Sequence, residues 1–247
     1  MMQLLPFPEL LDLIAERSAA LRQAVATGDT QAPVPGCPDW SLRDLVAHLG
    51  SVQRFWAEVI AAGPADSAPE FVTGDPTGDL VEWSAESTRV LIDALRVAGP
   101  DRDCWTWWGA SEAPMTSSAV ARHQVQEAAV HAWDAQETVG KPEPIPAGVA
   151  VDTIDELLVV TLGSIGAWPH RPSRIALSAV EGPTWLVDLT PSGAKSGPAA
   201  SGEPLATMRG SASDLVLAVY KRIPLESIEV DGDREAVEEF LAWTDTE

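Results

Sequence analysis

Residues 41–63 read SLRDLVAHLGSVQRFWAEVIAAG, and this stretch decides the first half of the fold. Leu42, Leu45, Val46, Leu49, Val52, Phe55, Trp56, Val59 and Ile60 recur at helical spacing and trace one apolar stripe that ends at Gly63. Ser41 is a good N-cap, and Asp44 three residues on completes a capping-box variant. Upstream lies a Pro/Gly/Cys-rich loop, APVPGCPDW at 32–40. Before it, residues 6–27 place Leu10, Leu11, Ile14, Leu21 and Val25 near helical spacing. Downstream, 64–78 is a loop rich in Pro, Gly, Asp and Ser, and 79–97 is a third helix stopped by Gly99-Pro100. The segment 101–116 holds Trp105, Trp107 and Trp108 with no clear period; a fourth helix runs from Ser117 to about Val139. Four helices of about 20 residues with irregular connections predict a four-helix bundle.

The second half changes texture. After the linker KPEPIP (141–146), a helix is expected at 147–164 and β-like runs at 173–180, 184–190 and 205–209, separated by Gly/Pro/Ser turns. Helices at 211–220 and 233–243 bracket a short strand at 227–231. The expected class is α+β, with a helical domain at 1–140, the linker at 141–146 and a smaller α+β domain at 147–247.

Composition narrows the function classes. The chain has 247 residues and a formal net charge of −21, with both halves acidic and no basic arm. A polyanionic partner would be repelled, so DNA or RNA binding is not expected. Hydrophobic residues make up 45% of the chain, which supports real cores. No stretch approaches the ~18 apolar residues of a membrane span. The N-terminus lacks a basic n-region, so no signal peptide and a cytoplasmic location are expected. Two cysteines, Cys37 and Cys104, are too few for a disulfide scaffold. The skews toward Arg over Lys and toward Trp over Tyr carry no mechanistic weight by themselves.

The chemistry is concentrated in four histidines: His48, His123, His131 and His170. Glu127 and His131 lie four apart on the fourth helix and share a face. Ala128, Ala129, Val130, Ala132 and Trp133 around them indicate a mostly buried segment. A carboxylate there needs a counter-charge or must become neutral. One solution is a divalent metal held by His48, Glu127 and His131, a catalytic-type zinc set with an open position. The bland alternatives are an ordinary i, i+4 Glu–His pair and an inward histidine that satisfies a buried carbonyl. His123, four residues before Glu127, is a rival ligand, and His170 in WPHRP reads as a surface loop residue. No GxSxG, P-loop, GxGxxG or HExxH is present. Nothing obvious lowers the pKa of Cys37 or Cys104. The three tryptophans of 101–116 suit either a ligand wall or a core edge.

CPDWSLRDLVAHLGSVQRFW (37–56) and RHQVQEAAVHAWD (122–134) resemble the hallmark stretches of the actinobacterial mycothiol-dependent maleylpyruvate isomerase-like family. GSASDLVLAVYKR followed by IEVDGDREAVEEFLAW is similar to that family's sterol-carrier-like C-terminal domain. The resemblance spans nearly the whole chain and implies a DinB-like four-helix N-terminal domain. It places the metal ligands on His48, Glu127 and His131. It makes Asp134 either a second-shell partner or a mate for an arginine such as Arg122. The family's site arginine, usually in a Gly-Arg pair, falls on Arg222, where this chain has Lys221-Arg222 instead.

The resemblance further implies Zn²⁺ or another divalent ion, with mycothiol as thiol cosubstrate. The metal-activated thiolate would add to a small electrophile, giving cis–trans isomerisation or S-transfer, with Arg222 gripping a substrate carboxylate in a cleft between the domains. Two rival readings use the same scaffold: a non-catalytic metal- or ligand-binding regulatory protein, and a metal-assisted hydrolase that needs no thiol.

Overall fold

The computed structural model describes residues 5–72, 74–197 and 203–244. The chain divides into two compact units, Met1–Trp107 with Pro114–Ile145, and Trp108–Ala113 with Pro146–Glu247. The class is α+β.

In the first unit, α1 (Phe7–Val25) is followed by a hairpin of β1 (Pro33–Val34) and β2 (Cys37–Ser41), then α2 (Leu42–Ala62), α3 (Leu80–Ala98) and α4 (Ser117–Thr138). Helix α1 packs against α3 and α4, and α2 against the same two, which makes a four-helix bundle. The starts of α2, α3 and α4 are capped by side chains. The Ser41 hydroxyl accepts from the Asp44 N–H while the Asp44 carboxylate accepts from the Ser41 N–H at 2.9 Å. Asp79 and Thr116 cap α3 and α4 more simply, each side chain accepting from the backbone N–H three residues on, Glu82 and Ala119. One core cluster joins Leu21, Val34, Leu42, Leu45, Leu49, Leu80, Ala132 and Ala135, with Trp40 packed at its edge.

Helix α4 departs from the usual amphipathic pattern. It is buried over much of its circumference, yet it carries His123, Gln124, Gln126, His131 and Asp134 among its buried residues. Burying so many polar groups is costly unless they find partners, so this helix has a task beyond packing.

In the second unit come α5 (Ala147–Val159), α6 (Thr161–Ile165), β3 (Ser173–Ala179), β4 (Thr184–Thr190), β5 (Gly193–Gly197), β6 (Ala206–Gly210), α7 (Ala212–Val219), β7 (Glu229–Gly232) and α8 (Arg234–Trp243). The sheet order is β5-β4-β3-β6-β7, antiparallel except for the parallel β3–β6 pair. Strand β3 is buried on both faces, whereas β4 alternates, with Trp185, Val187 and Leu189 inward. That difference is what a central and a more peripheral strand require.

Three local expectations give way. The 32–40 loop is a β-hairpin, Pro33 opposite Ser41 and Val34 opposite Cys37; a two-stranded ribbon tolerates prolines that a central strand would not. The single helix at 147–164 is interrupted at Val160, inside a Val-Val-Thr run whose β-branched side chains crowd the preceding turn. Residues 193–197, read as turn, form β5 against β4. Among the described residues, no helix is long and apolar enough to cross a membrane.

Candidate metal centre

Helix α2 brings His48 up to Glu127 and His131 on α4. Each of the three residues offers one donor atom, and these atoms lie within 4.8 Å of one another. Both imidazoles aim at the same carboxylate oxygen: Glu127 Oε2 is 3.5 Å from His131 Nε2 and 4.0 Å from His48 Nε2. Glu127 keeps 24% side-chain exposure and His48 32%, so the centre is reachable from solvent, while His131 is nearly enclosed.

Two helical turns of Glu127 are occupied by histidine, and their places differ. His123 Nε2 lies 3.8 Å from the other carboxylate oxygen, Oε1, outside the converging trio. Helical spacing cannot separate the residue four before Glu127 from the residue four after it. The position of His48 on the neighbouring helix does.

Asp134 Oδ2 lies 3.0 Å from His131 Nδ1, and the Cys37 thiol donates to the same oxygen at 4.0 Å. Asp134 is wholly buried. Its carboxylate fixes the ring so that Nε2 faces Glu127, the arrangement by which a second carboxylate orients a metal-binding imidazole. Cys37, His131 and Asp134 form a second convergent set, all buried, sharing His131. The Trp40 ring lies 4.6 Å from that of His48 and 6.2 Å from that of His131. Spacing along the chain does not connect Cys37 and Trp40 to the histidines; the β1–β2 hairpin does, and CPDWS, buried only at Cys37, carries no strand period that would announce it.

The charges are tightly coupled. Burial pushes the Glu127 carboxyl up, but hydrogen bonding and charge from His131, with further charge from His123 and His48, hold it at about 2. Burial also opposes protonation of His131, yet Asp134 and Glu127 outweigh it and raise this imidazole to about 9. Burial, reinforced by the His131 charge, lowers His48 to about 4 despite Glu127. The ion-free centre is thus a carboxylate paired to one imidazolium, with a neutral imidazole beside it.

Each of the remaining candidates has its own local setting. Arg222 follows α7, its Nη1 donating to the Tyr220 carbonyl, and lines a surface hollow of about 620 Å³ with Lys221, Pro224, Arg234 and Glu238. Lys221 takes φ +57°, the left-handed conformation that glycine favours. The Arg222 N–H reaches the Leu217 carbonyl and the Lys221 N–H that of Ala218, a Schellman closure of α7. The position expected to hold glycine therefore keeps glycine's backbone while carrying lysine. His170 pairs with Glu239 at 3.1 Å and stacks near Trp168, half-exposed. Cys104 is buried, and burial, with Asp103, pushes its thiol up to about 11. Trp105 and Trp107 belong to the first unit, whereas Trp108 is fully buried in the second.

Comparison with known proteins bears on the whole chain. The family profile of the mycothiol maleylpyruvate isomerase N-terminal domain matches residues 11–136, and that of the MDMPI C-terminal domain matches residues 148–239. Among curated protein sequences, none matches. A crystal structure of a mycothiol-dependent maleylpyruvate isomerase superposes with a TM-score of 0.61 at 16% identity, covering 92% of this chain and 93% of that one. A histidine-to-alanine mutant of a mycothiol-dependent maleylpyruvate isomerase gives 0.60 at 14% identity with the same coverage. At such identity these likenesses speak for the fold, while the two profiles, one after the other, span both units. The chain belongs to the mycothiol-dependent maleylpyruvate isomerase family.

Proposed function

We propose that this chain is a metal-dependent enzyme that takes mycothiol as cosubstrate and adds its sulfur to a small electrophile. Releasing the thiol after rotation about the former double bond makes it a cis–trans isomerase; retaining it makes it an S-transferase. The carrying observation is the convergence of His48, Glu127 and His131 from two helices, with the other nitrogen of His131 held by Asp134.

The donor set fits a divalent ion. Around a tetrahedral ion with bonds of ~2.0–2.1 Å, neighbouring donors sit about 3.3 Å apart; here Glu127 Oε2 lies 3.5 and 4.0 Å from its two imidazole partners. Two imidazoles and a carboxylate favour Zn²⁺ by ligand type. Held by His48, Glu127 and His131, such an ion would make a thiolate available from a bound thiol at neutral pH.

The chain's own residues do the rest. His48 is neutral above about pH 4 and ready to ligate. Glu127 stays ionised and offsets cationic charge. Asp134 keeps the His131 Nδ1–H engaged, leaving Nε2 for the ion. Neither cysteine competes as the nucleophile: Cys104 is raised to about 11 and Cys37 is buried against Asp134. In the addition an S–C bond forms while the C=C π pair moves to the neighbouring carbon. Expulsion of the thiolate restores the double bond, whereas S-transfer ends with a proton taken up at that carbon. Arg222 would hold a substrate carboxylate through a fork of hydrogen bonds.

Elemental analysis of the purified full chain, followed by mycothiol consumption against a panel of electrophiles, tests this. The expected result is about one divalent ion per chain together with thiol turnover. His131→Ala, folded by circular dichroism, should lose both, the turnover by more than about 100-fold. Arg222→Ala in the same assay should weaken carboxylate-bearing electrophiles selectively, and equal loss on neutral ones removes its role. Unchanged metal content and activity in His131→Ala rejects the centre. Stoichiometric metal without turnover points instead to a binding protein, and turnover without thiol to hydrolysis.

A further inference from the structure

A run of aromatic rings begins at the candidate centre and continues through the first unit to solvent. His123, beside Glu127 Oε1, has the Trp107 ring at 5.7 Å and the Trp56 ring at 6.1 Å, both edge-on. Trp105 stacks on Trp56 at 6.3 Å, Phe55 meets both, and Phe71 meets Phe55 at 5.5 Å. Four separate pieces of chain supply these rings: α4 with His123, α2, the loop before α3 and the loop before α4.

Burial along the run is uneven in an informative way. Trp56 is 3% exposed, as a core ring should be, but Trp107 and Phe71, at its two ends, are 42% and 48% exposed. Closing the bundle explains Trp56. It does not explain the large rings left open to water at the ends of the run, of which Trp107 lies against His123 beside the centre; their hydration is unfavourable until something apolar covers them.

We infer that this run is the recognition surface for the body of the electrophile, and that the body is a planar aromatic group carried next to the reacting double bond. Edge-to-face and offset-stacked ring pairs attract beyond the area they bury, so an aryl group gains more here than an alkyl group of equal size. The link to a reaction rests on the thiol-addition reading above; ring binding itself needs no turnover.

The test separates the two. Ligand-observed NMR titration of the full chain, without thiol, compares benzylacetone with butanone, unreactive ketones that differ by the aryl group. The wild type should prefer benzylacetone. Trp107→Ala and Phe71→Ala should each reduce that preference by about 2- to 10-fold. Both rings are more than two-fifths exposed, so neither deletion opens the core, and an unchanged circular dichroism spectrum verifies this. No preference in the wild type, or an undiminished preference in both variants, overturns the inference. Mycothiol consumption with benzylidene acetone against methyl vinyl ketone is the second arm, and the aryl enone should react faster. If neither enone consumes thiol while the variant-sensitive ring preference persists, the proposed reaction falls and the ring surface stands. Thiol consumption without ring preference does the reverse.

Discussion

His131 is the member of the trio whose proton is in play near neutrality. His48, lowered to about 4, is already neutral, and Glu127, held at about 2, is already ionised. His131, raised to about 9, carries a proton that an incoming cation must displace. Apparent metal affinity should therefore tighten about tenfold per pH unit between about pH 7 and 9 and level off above that range. Stability responds to pH differently in the two forms. A folded-state pKa raised above the unfolded value of ~6.5 stabilises fully below that value, and the benefit is lost as pH climbs through about 9. The ion-free chain should thus lose thermal stability from pH 7 to 9, while in the loaded chain tighter binding offsets that loss and the His131 contribution stays level. Calorimetric titration in two buffers of different ionisation enthalpy should count one proton released per ion at pH 7. Zero release, or parallel stability slopes, would mean His131 is neutral before the ion arrives.

At the scale of elements, the sequence announced what local rules dictate. The stripe from Leu42 to Ile60 and the Ser41–Asp44 box stand where the pattern put them, because periodicity and capping are set within a few residues. The candidate trio was partly visible for the same reason: Glu127 and His131 share a helix, but only packing of α2 on α4 brings His48 to them and leaves His123 on the other oxygen. What stayed hidden depends on distant partners. Strand β5 carries Ala, Lys and Ser between glycines and is a strand only because β4 pairs with it. The end of α7 was legible as a puzzle, lysine where glycine was expected. The structure resolves it as a Schellman closure with Lys221 at φ +57°. A residue with a Cβ in that conformation costs about 1 kcal/mol relative to glycine. Lys221→Gly should consequently raise stability in denaturant melts by about 0.5–1 kcal/mol. A loss of stability would show that contacts of the lysine side chain outweigh the backbone strain.

For the whole molecule the dominant fact is charge. Sixteen basic side chains face 37 acidic ones, leaving −21. Several of the arginines are held in pairs, Arg89 with Glu86 and Asp93 and Arg234 with Glu226 and Glu238 at exposed positions, and Arg174 with Asp188 across β3 and β4 in a partly buried one. The exposed pairs contribute only about 0–1 kcal/mol each, and guanidiniums already engaged do little to neutralise carboxylates further away. The folded chain, more compact than the unfolded one, concentrates that excess and is opposed by it. Salt acts on the two effects in opposite directions, weakening the pairs and screening the repulsion. The repulsion is summed over many carboxylates at long range, where the Debye length falls from about 30 Å at 0.01 M to about 8 Å at 0.15 M; the pairs, at contact distance, are screened less. Net stabilisation by salt follows. Over that range of sodium chloride the ion-free protein should gain a few degrees in its thermal midpoint, about 2–4 °C for each 1 kcal/mol at this size. A midpoint that falls instead would place more of the stability in the arginine pairs than in relief of the acidic excess.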